Sequence, residues 1–446
     1  MQPGRIDIVT MGCSKNLVDS ERLMRRLQAK GYDMYHDSAD VCGEVVVINT
    51  CGFIGDAKEE SINMILSAAE GKQRGHIGRL VVMGCLSERY MDELKKEIPE
   101  VDKWYGKFDW TALIDELPDL AAEVDKPREW ERVLTQAPYS AYIKISEGCN
   151  RFCAYCAIPL ITGRHRSRPM EDILAEVRDL VAEGVSEFNI IAQDLSAYGT
   201  DIGYSNSPAP GERSGLATLI DAISRIPGVH WIRLHYAYPV DFPWDVLKVM
   251  STRSNVCDYL DIALQHISTP VLANMRRHID KEQTLELIER IRREVPGIRL
   301  RTTLMTGFPG EGEAEYRELA DFVKDMRFDR MGAFSYCEEE DTWAQRHLAD
   351  DIPQEIKDSR REEILSLQEG ISRSLNRRLI GRTFEMLVES DVDGELTGRT
   401  QWDSPEVDCQ VHVPFKEDTP PAKPGEYINV IGIDADAFDI FAELAH

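Results

Sequence analysis

Three cysteines stand close together in Cys149-Asn-Arg-Phe-Cys153-Ala-Tyr-Cys156, a CxxxCxxC spacing. Three thiolates so placed can bind three irons of a cubane cluster and leave the fourth iron open. An open iron can take a small molecule, for example through the amino and carboxylate groups of S-adenosylmethionine (SAM). The same spacing also suits three-quarters of a structural zinc site, or buried free thiols. Structural zinc wants four closed ligands, and His165 is the one local candidate for a fourth. The loop follows the first strand of a barrel-like region and is flanked by Gly148, which favours iron and sulfur.

Cys13, Cys51 and Cys85 make a second set. Each leaves the carboxyl end of an apolar strand segment (Ile6–Thr10, Val45–Asn49 and Leu80–Met83), where ligands of open α/β sheets gather. Each neighbours a glycine, Gly12, Gly52 or Gly84, which lets backbone approach a bulky group. The competing reading is three small hydrophobes at strand ends. Cys42, Cys257, Cys337 and Cys409 lack this placement and read as structural.

The elements that must position these residues fall into three regions. Residues 4–117 alternate apolar strands with helical patterns near Val18–Lys30, Lys58–Glu70 and Glu88–Ile98, which predicts an α/β layer with a mostly parallel sheet. Residues 118–138 are charged, carry Pro118, Pro127 and Pro138, and read as a linker. Residues 139–372 offer six strands, Ala141–Ile145, Glu187–Ala192, Trp231–His235, Tyr259–Leu264, Ile298–Leu304 and Arg330–Ser335. Helical patterns such as Met170–Glu183 and Lys281–Glu294 lie between them. Six βα units are too few for a closed eight-unit barrel, so a partial (β/α)6 barrel is expected, with active residues at the strands' carboxyl ends. Residues 376–446 turn β-rich, with turn signals at Asp393-Gly394 and Pro424-Gly425, and predict a small all-β barrel. The fold class is α/β with that barrel appended.

The chain of 446 residues carries 52 basic and 78 acidic side chains, a net charge of −26. Such a surface repels bare nucleic acid and anionic membrane and favours basic partners, though acidity also serves solubility alone. The start MQPGRIDIV lacks the pattern of a signal peptide, and no apolar run approaches the roughly 20 residues of a membrane span. A cytoplasmic protein is expected. Its ten cysteines then argue for metal binding or catalysis, not disulfides.

MGCSKNLVDSE from Met11, NTCGFI from Asn49, MGCL from Met83 and EGCNRFCAYCAIPLITGRHRSRP from Glu147 resemble the methylthiotransferases of the radical SAM superfamily. The likeness covers nearly the whole chain. CSKN from Cys13 and QDLSAYG from Gln193 are similar to the branch that modifies a ribosomal protein; the tRNA-modifying branch typically starts with a GCQMN-like motif. The C-terminal region resembles the TRAM domain, a substrate-binding barrel. The resemblance implies a SAM-cleaving 4Fe–4S cluster on Cys149, Cys153 and Cys156, and an auxiliary 4Fe–4S cluster on Cys13, Cys51 and Cys85. It places Tyr155 along the SAM adenine. It implies replacement of C–H by C–S–CH₃ at an aspartate β-carbon of small-subunit ribosomal protein twelve, alone or within the small subunit. That carbon has no acidic proton and no leaving group, so a radical must open it. A low-potential electron donor is then a required partner.

Further polar residues follow candidate barrel strands: Gln193 and Asp194, His235 and Tyr236, Gln265 and His266, and Thr306-Gly307. They read either as contacts to SAM or a substrate peptide, or as satisfied loop caps. The glycines of TGFPGEGE from Thr306 suit a carboxylate or phosphate meeting backbone N–H groups. Arg164, Arg166 and Arg168 could guide an acidic side chain or form surface pairs. From Gly381 onward stand four basic residues, Arg382, Arg399, Lys416 and Lys423, against fifteen acidic ones, a net of −11. That charge suits a basic protein and opposes tRNA. The leading expectation is therefore a protein methylthiotransferase. The same chemistry on a tRNA adenosine, and a non-catalytic iron–sulfur or zinc protein, are the alternatives.

Overall fold

A computed structural model describes residues 2–122, 125–415 and 421–445. The first sheet holds β1 (Gln2–Thr10), β2 (Asp33–His36), β3 (Gly43–Thr50), β4 (Arg79–Gly84) and β5 (Lys103–Trp104), all parallel in the order β2-β1-β3-β4-β5. Val45–Ile48 and Leu80–Met83 are buried on both faces, which is why they read as unbroken apolar runs. The helices Ser14–Ala29, Gly55–Gln73 and Cys85–Glu97 follow β1, β3 and β4. The linker has no regular structure among its described residues, yet it is tied down. Arg132 pairs with Glu21 at 2.7 Å, and the N–H and hydroxyl of Thr135 also donate to Glu21.

The second sheet begins at β6 (Ser140–Lys144). The short antiparallel pair β7 (Ser146–Glu147) and β8 (Arg166–Ser167) closes the cysteine loop at its base. Then come β9 (Glu187–Ile191), β10 (Trp231–Ala237), β11 (Val256–Ile262), β12 (Arg299–Thr306) and β13 (Arg330–Ser335). These six long strands pair in parallel in chain order, and β6 and β13 are the two free edges. The result is an open six-stranded barrel with its core between sheet and helices. The helix Lys281–Glu294 starts at a capping box. Asp280 accepts from the Gln283 N–H at 2.9 Å, and the Gln283 side chain accepts from the Asp280 N–H at 3.1 Å.

The last region is a closed barrel of β14 (Thr383–Val392), β15 (Glu395–Arg399), β16 (Gln410–Pro414), β17 (Tyr427–Ala435) and β18 (Asp439–Leu444), in the order β14-β15-β16-β18-β17. It plugs the amino-terminal end of the open barrel. Arg399 forms a two-pronged pair with Glu187 at the start of β9, and Arg233 joins the same carboxylate at 2.5 Å. Arg301 pairs with Asp408 and Arg330 with Asp403, both at 2.6 Å.

Candidate active site at the barrel mouth

The cysteine loop is anchored from several sides. Arg151 Nε donates to Asp194 at 2.6 Å and its Nη1 to Asp241 at 2.9 Å. The Ala154 N–H donates to Met275 O at 2.9 Å. Arg277 Nη1 lies 3.5 Å from Cys153 Sγ, and the Tyr238 hydroxyl lies 3.8 Å from the same sulfur. Cys149 and Cys153 are buried and Cys156 is half-buried. Burial pushes the Cys149 thiol up to about 12, and it raises Cys156 as well. Burial thus disfavours the thiolates of Cys149 and Cys156 unless a cation joins them, and a cluster's iron is such a cation.

The three singletons also come together. Cys13 follows β1, Cys51 follows β3, and Cys85 opens the helix after β4. A Cβ on Gly12 would lie 2.7 Å from Cys51 Sγ, and one on Gly52 would lie 2.9 Å from the Cys85 carbonyl carbon. These glycines let the three strand ends approach one another, not only a bound group. Burial raises Cys51 and takes Cys85 up to about 12. Cys13 goes the other way. Surrounding protein disfavours its thiolate, but Lys15, the Asn16 N–H and Lys107 outweigh that and lower it.

Among the described residues, no three His, Cys, Asp or Glu side chains converge on one ion. Cubane irons take one thiolate each, so their ligands stand further apart. His165 faces Ser167 at 3.0 Å and Asp201 at 3.6 Å, Cys257 and Cys409 lie in separate apolar clusters, and Cys337 follows β13 with its Sγ 3.8 Å from where a Cβ on Gly55 would lie.

A chain of charges links the two cysteine sets. Lys107 Nζ donates to Asp19 at 3.0 Å and to Asn16 Oδ1 at 3.3 Å, and Asn16 Oδ1 lies 3.7 Å from Cys85 Sγ. Asp19 also meets Lys144, Lys144 meets Glu147, and Glu147 accepts from Gln193 at 3.0 Å. Burial opposes the Asp19 carboxylate, but Lys144 and Lys107 hold it well below the usual range.

The other expected site residues fall into two groups. Tyr155 lies at the mouth, edge-on to Phe308 with centroids 6.1 Å apart. Gln193 sits there with its Oε1 unpartnered, and Gln265 there adopts a left-handed φ of 72°. The rest are engaged by the protein. Asp194 is buried against Arg151, although its Oδ1 has no partner. His235 lies within β10, 3.3 Å from Asn189, and burial drives it well below its ordinary pKa. His266 meets Glu311 at 3.0 Å. Thr306 donates to Lys357 O at 3.0 Å, and the Gly307 N–H donates to Glu311 at 2.9 Å. The carboxylate expected at those glycines is thus the chain's own Glu311. Of the arginines, Arg168 pairs with Glu176 at 2.6 Å and Arg166 lies over the Phe108 ring at 5.4 Å, while Arg164 is exposed. Sequence reasoning passed over Lys15, Lys107, Lys144, Arg151 and Arg277. A charged residue inside CSKN or CNRFC was the available signal for two of them.

Family models match in chain order: an uncharacterized family, UPF0004, over residues 5–106, the radical SAM superfamily over 143–323, and the TRAM domain over 380–445. The fold is similar to that of the radical SAM methyltransferase TsrM from Kitasatospora setae, with a TM-score of 0.52, 15% identity and 75% of each chain covered. It is also similar to the cobalamin-dependent radical SAM enzyme OxsB, with a TM-score of 0.50, 13% identity, and 82% and 56% of the two chains covered. Cysteine loop, open barrel and family model together define the class as radical SAM enzymes. Curated relatives named ribosomal protein uS12 methylthiotransferase RimO match end to end. The one from Parabacteroides distasonis is 54% identical over all of both chains, and that from Cytophaga hutchinsonii is 45% identical over 99% and 98% of them. The chain belongs to this RimO family.

Proposed function

We infer that this protein is a radical SAM methylthiotransferase that replaces a C–H bond by C–S–CH₃ at the β-carbon of an aspartate in ribosomal protein uS12. The observation that carries the reading is the pairing of two cysteine sets, each at the carboxyl end of a parallel sheet, bridged by Lys107, Asp19, Lys144 and Glu147. In this reading Cys149, Cys153 and Cys156 hold one 4Fe–4S cluster, and Cys13, Cys51 and Cys85 hold a second. The donor set suits iron, because burial disfavours the thiolates of Cys51, Cys85, Cys149 and Cys156 until a cation joins them. When bound, the first cluster and SAM supply a radical able to break an unactivated C–H bond.

The remaining work belongs to the chain. Arg151 and Asp194 fix the cysteine loop, and Arg277 sets a permanent positive charge beside Cys153. Tyr155 offers a ring face beside Phe308 for the adenine, and Gln193 and Gln265 offer polar groups at the same mouth. The bridge fixes the distance between the place where hydrogen leaves and the place where sulfur is held.

The division into residues 4–117, 139–372 and 376–446, with 118–138 as linker, belongs to the same reading. The appended barrel serves as the uS12-binding part. Arg399 is buried in the plug, which leaves Arg382 and Lys423 as its exposed basic residues among those described; Lys416 lies outside them. An acidic barrel attracts a basic ribosomal protein and repels tRNA. Among the described residues no helix is long and apolar enough to cross a membrane. A cytoplasmic site of action and a low-potential electron donor follow from the proposed reaction.

The test is reconstitution under anaerobic conditions with iron and sulfide, then reaction with SAM, a low-potential reductant and purified uS12. A methylthio group on an aspartate of uS12 supports the reading. Stoichiometric zinc without iron, or a methylthio group on tRNA adenosine and none on uS12, defeats it.

A further inference from the structure

Lys15 is two residues beyond Cys13, in the first turn of the helix Ser14–Ala29. It is half-buried, and its side chain leaves its own sheet to reach the mouth of the open barrel. There its Nζ lies over the ring of Tyr236, 3.7 Å from the centroid. No carboxylate or carbonyl among the described residues accepts a hydrogen bond from that ammonium group, whereas Lys107 and Lys144 nearby are both paired with Asp19. Within electrostatic reach of Lys15 are Cys13 on its own domain, and His235 and Asp261 from the barrel strands. Asp261 is not its partner. That carboxylate is buried and faces Arg301 at 3.8 Å.

Tyr236 is an independent anomaly. It is a non-glycine residue at φ 68° near the end of β10, beside a register shift between Leu234 and Ala237. The left-handed backbone turns its side chain outward while His235 stays buried. Strain of this kind persists where surrounding structure enforces it and concentrates at ligand sites. Here it presents an aromatic face that parks, at the barrel mouth, a lysine from the turn that follows Cys13. A cation held only by a ring face is free to exchange that contact for an anion, because the ring is a weaker partner than a carboxylate.

We propose that Lys15 is the residue that recognises the substrate's side-chain carboxylate, with Tyr236 holding it at the mouth until the substrate arrives. The inference rests on the uS12 methylthiotransferase reading and deepens it, since it explains why an aspartate is taken. Lys15 grips the carboxylate, and the neighbouring β-carbon then lies between the two cysteine sets. Lys15 is a specificity-determining residue, distinct from the residues that hold the cofactors.

The test uses the reconstituted full-length protein and two forms of uS12, one with its target aspartate and one with that residue changed to asparagine. Binding of each form is measured anaerobically for the wild type and for the Lys15→Gln and Lys15→Arg variants. The quantity read is the ratio of the two affinities within one preparation, so partial loss of folded or loaded protein does not move it. The wild type should prefer the aspartate form by about tenfold or more, the size of a charged hydrogen bond. Lys15→Gln should bring the ratio to about one, and Lys15→Arg should restore most of it. A lysine that acted only on the cluster beside Cys13 would weaken both forms alike. An unchanged ratio in Lys15→Gln therefore overturns the inference even when the wild type makes methylthio-uS12. Absence of that product from the wild type overturns the parent reading instead.

Discussion

The two ends of the central barrel are built on opposite rules. At the amino-terminal end, Glu187, Arg399, Arg233, Arg301, Asp408, Arg330 and Asp403 are buried or nearly so, and each charge meets an opposite one from the appended barrel or the strands. At the carboxyl end, Gln193 Oε1, Asp194 Oδ1, Arg277 Nε and Ser146 Oγ are buried without partners. Phe152, Tyr236, Gln265, Arg276 and His278 all take left-handed backbone there, and Lys15 rests on a ring instead of a carboxylate. Paired charges at one end, where only Arg233 Nε among the named groups has no partner, hold two domains together. Unsatisfied groups and strain at the other end are what a site for large, polar ligands requires.

The sharpest break is at the open end. Replacing Cys149, Cys153 and Cys156 together by Ala should remove about half the iron and abolish 5′-deoxyadenosine formation. Replacing Cys13, Cys51 and Cys85 should remove about the other half and leave some SAM cleavage. Iron analysis and chromatography of the nucleoside report both. Full iron content in either triple variant would contradict the ligand assignment.

At the sealed end the expected effect is on stability. Arg399→Ala leaves Glu187 with Arg233 alone in a buried setting, which costs about 3–5 kcal/mol. The triple change Glu187→Gln, Arg399→Met and Arg233→Met removes all three charges and should cost clearly less. Denaturant unfolding measures both. An Arg399→Ala protein as stable as the parent would mean that the plug carries no load.

Asp261 lies between the two ends and feels both, with Arg301 and Asp408 on one side and Lys15 on the other. Burial raises it from the ordinary value of 3.8 to about 6, against the pull of Arg301. Between those values the folded state keeps a proton that the unfolded chain has lost. Stability from this group is therefore greatest below the lower value and falls as pH rises, by about 1.4 kcal/mol per unit across the window. Asp261→Asn should remove that slope and stabilise the protein at neutral pH. Identical pH dependence in the two proteins would show that folding does not raise the Asp261 pKa.

The smallest effects are expected at the four cysteines outside both sets. Single changes of Cys42, Cys257, Cys337 or Cys409 to Ser should keep iron content and turnover. The buried Cys257 and Cys409 should lose about 1 kcal/mol of stability and the exposed Cys337 none. Loss of a whole cluster in any of them would expose a misread ligand.

Much of this architecture was legible because the central strands are buried on both faces and therefore spell apolar runs. The helix Lys281–Glu294 was legible to the residue because Asp280 and Gln283 cap it. β2, with its Asp33-Met-Tyr-His composition and half-exposed edge position, gave no such run. Nor did β5, two residues long, or β18 with Asp439 and Glu443. The placement of Cys13, Cys51 and Cys85 at strand ends was legible from the apolar runs that precede them. The plug was not, because Glu187 and Arg399 are far apart in sequence and each looks like an ordinary surface charge. Spacing could not show that Glu311 would occupy the Gly307 N–H, or that Asp194 would serve Arg151. Lys15 stood inside a recognised motif, but only the structure shows which ring it touches.

The central claim is that this chain places a methylthio group on uS12, and it is tested most directly in the cell. Mass spectrometry of ribosomal proteins from the source strain and from a strain lacking this chain gives the answer. The account predicts uS12 with a methylthio group on one aspartate in the first strain, unmodified uS12 in the second, and unchanged tRNA adenosines in both. Methylthio-uS12 that persists without the chain, or a methylthio group lost from tRNA instead, would contradict it.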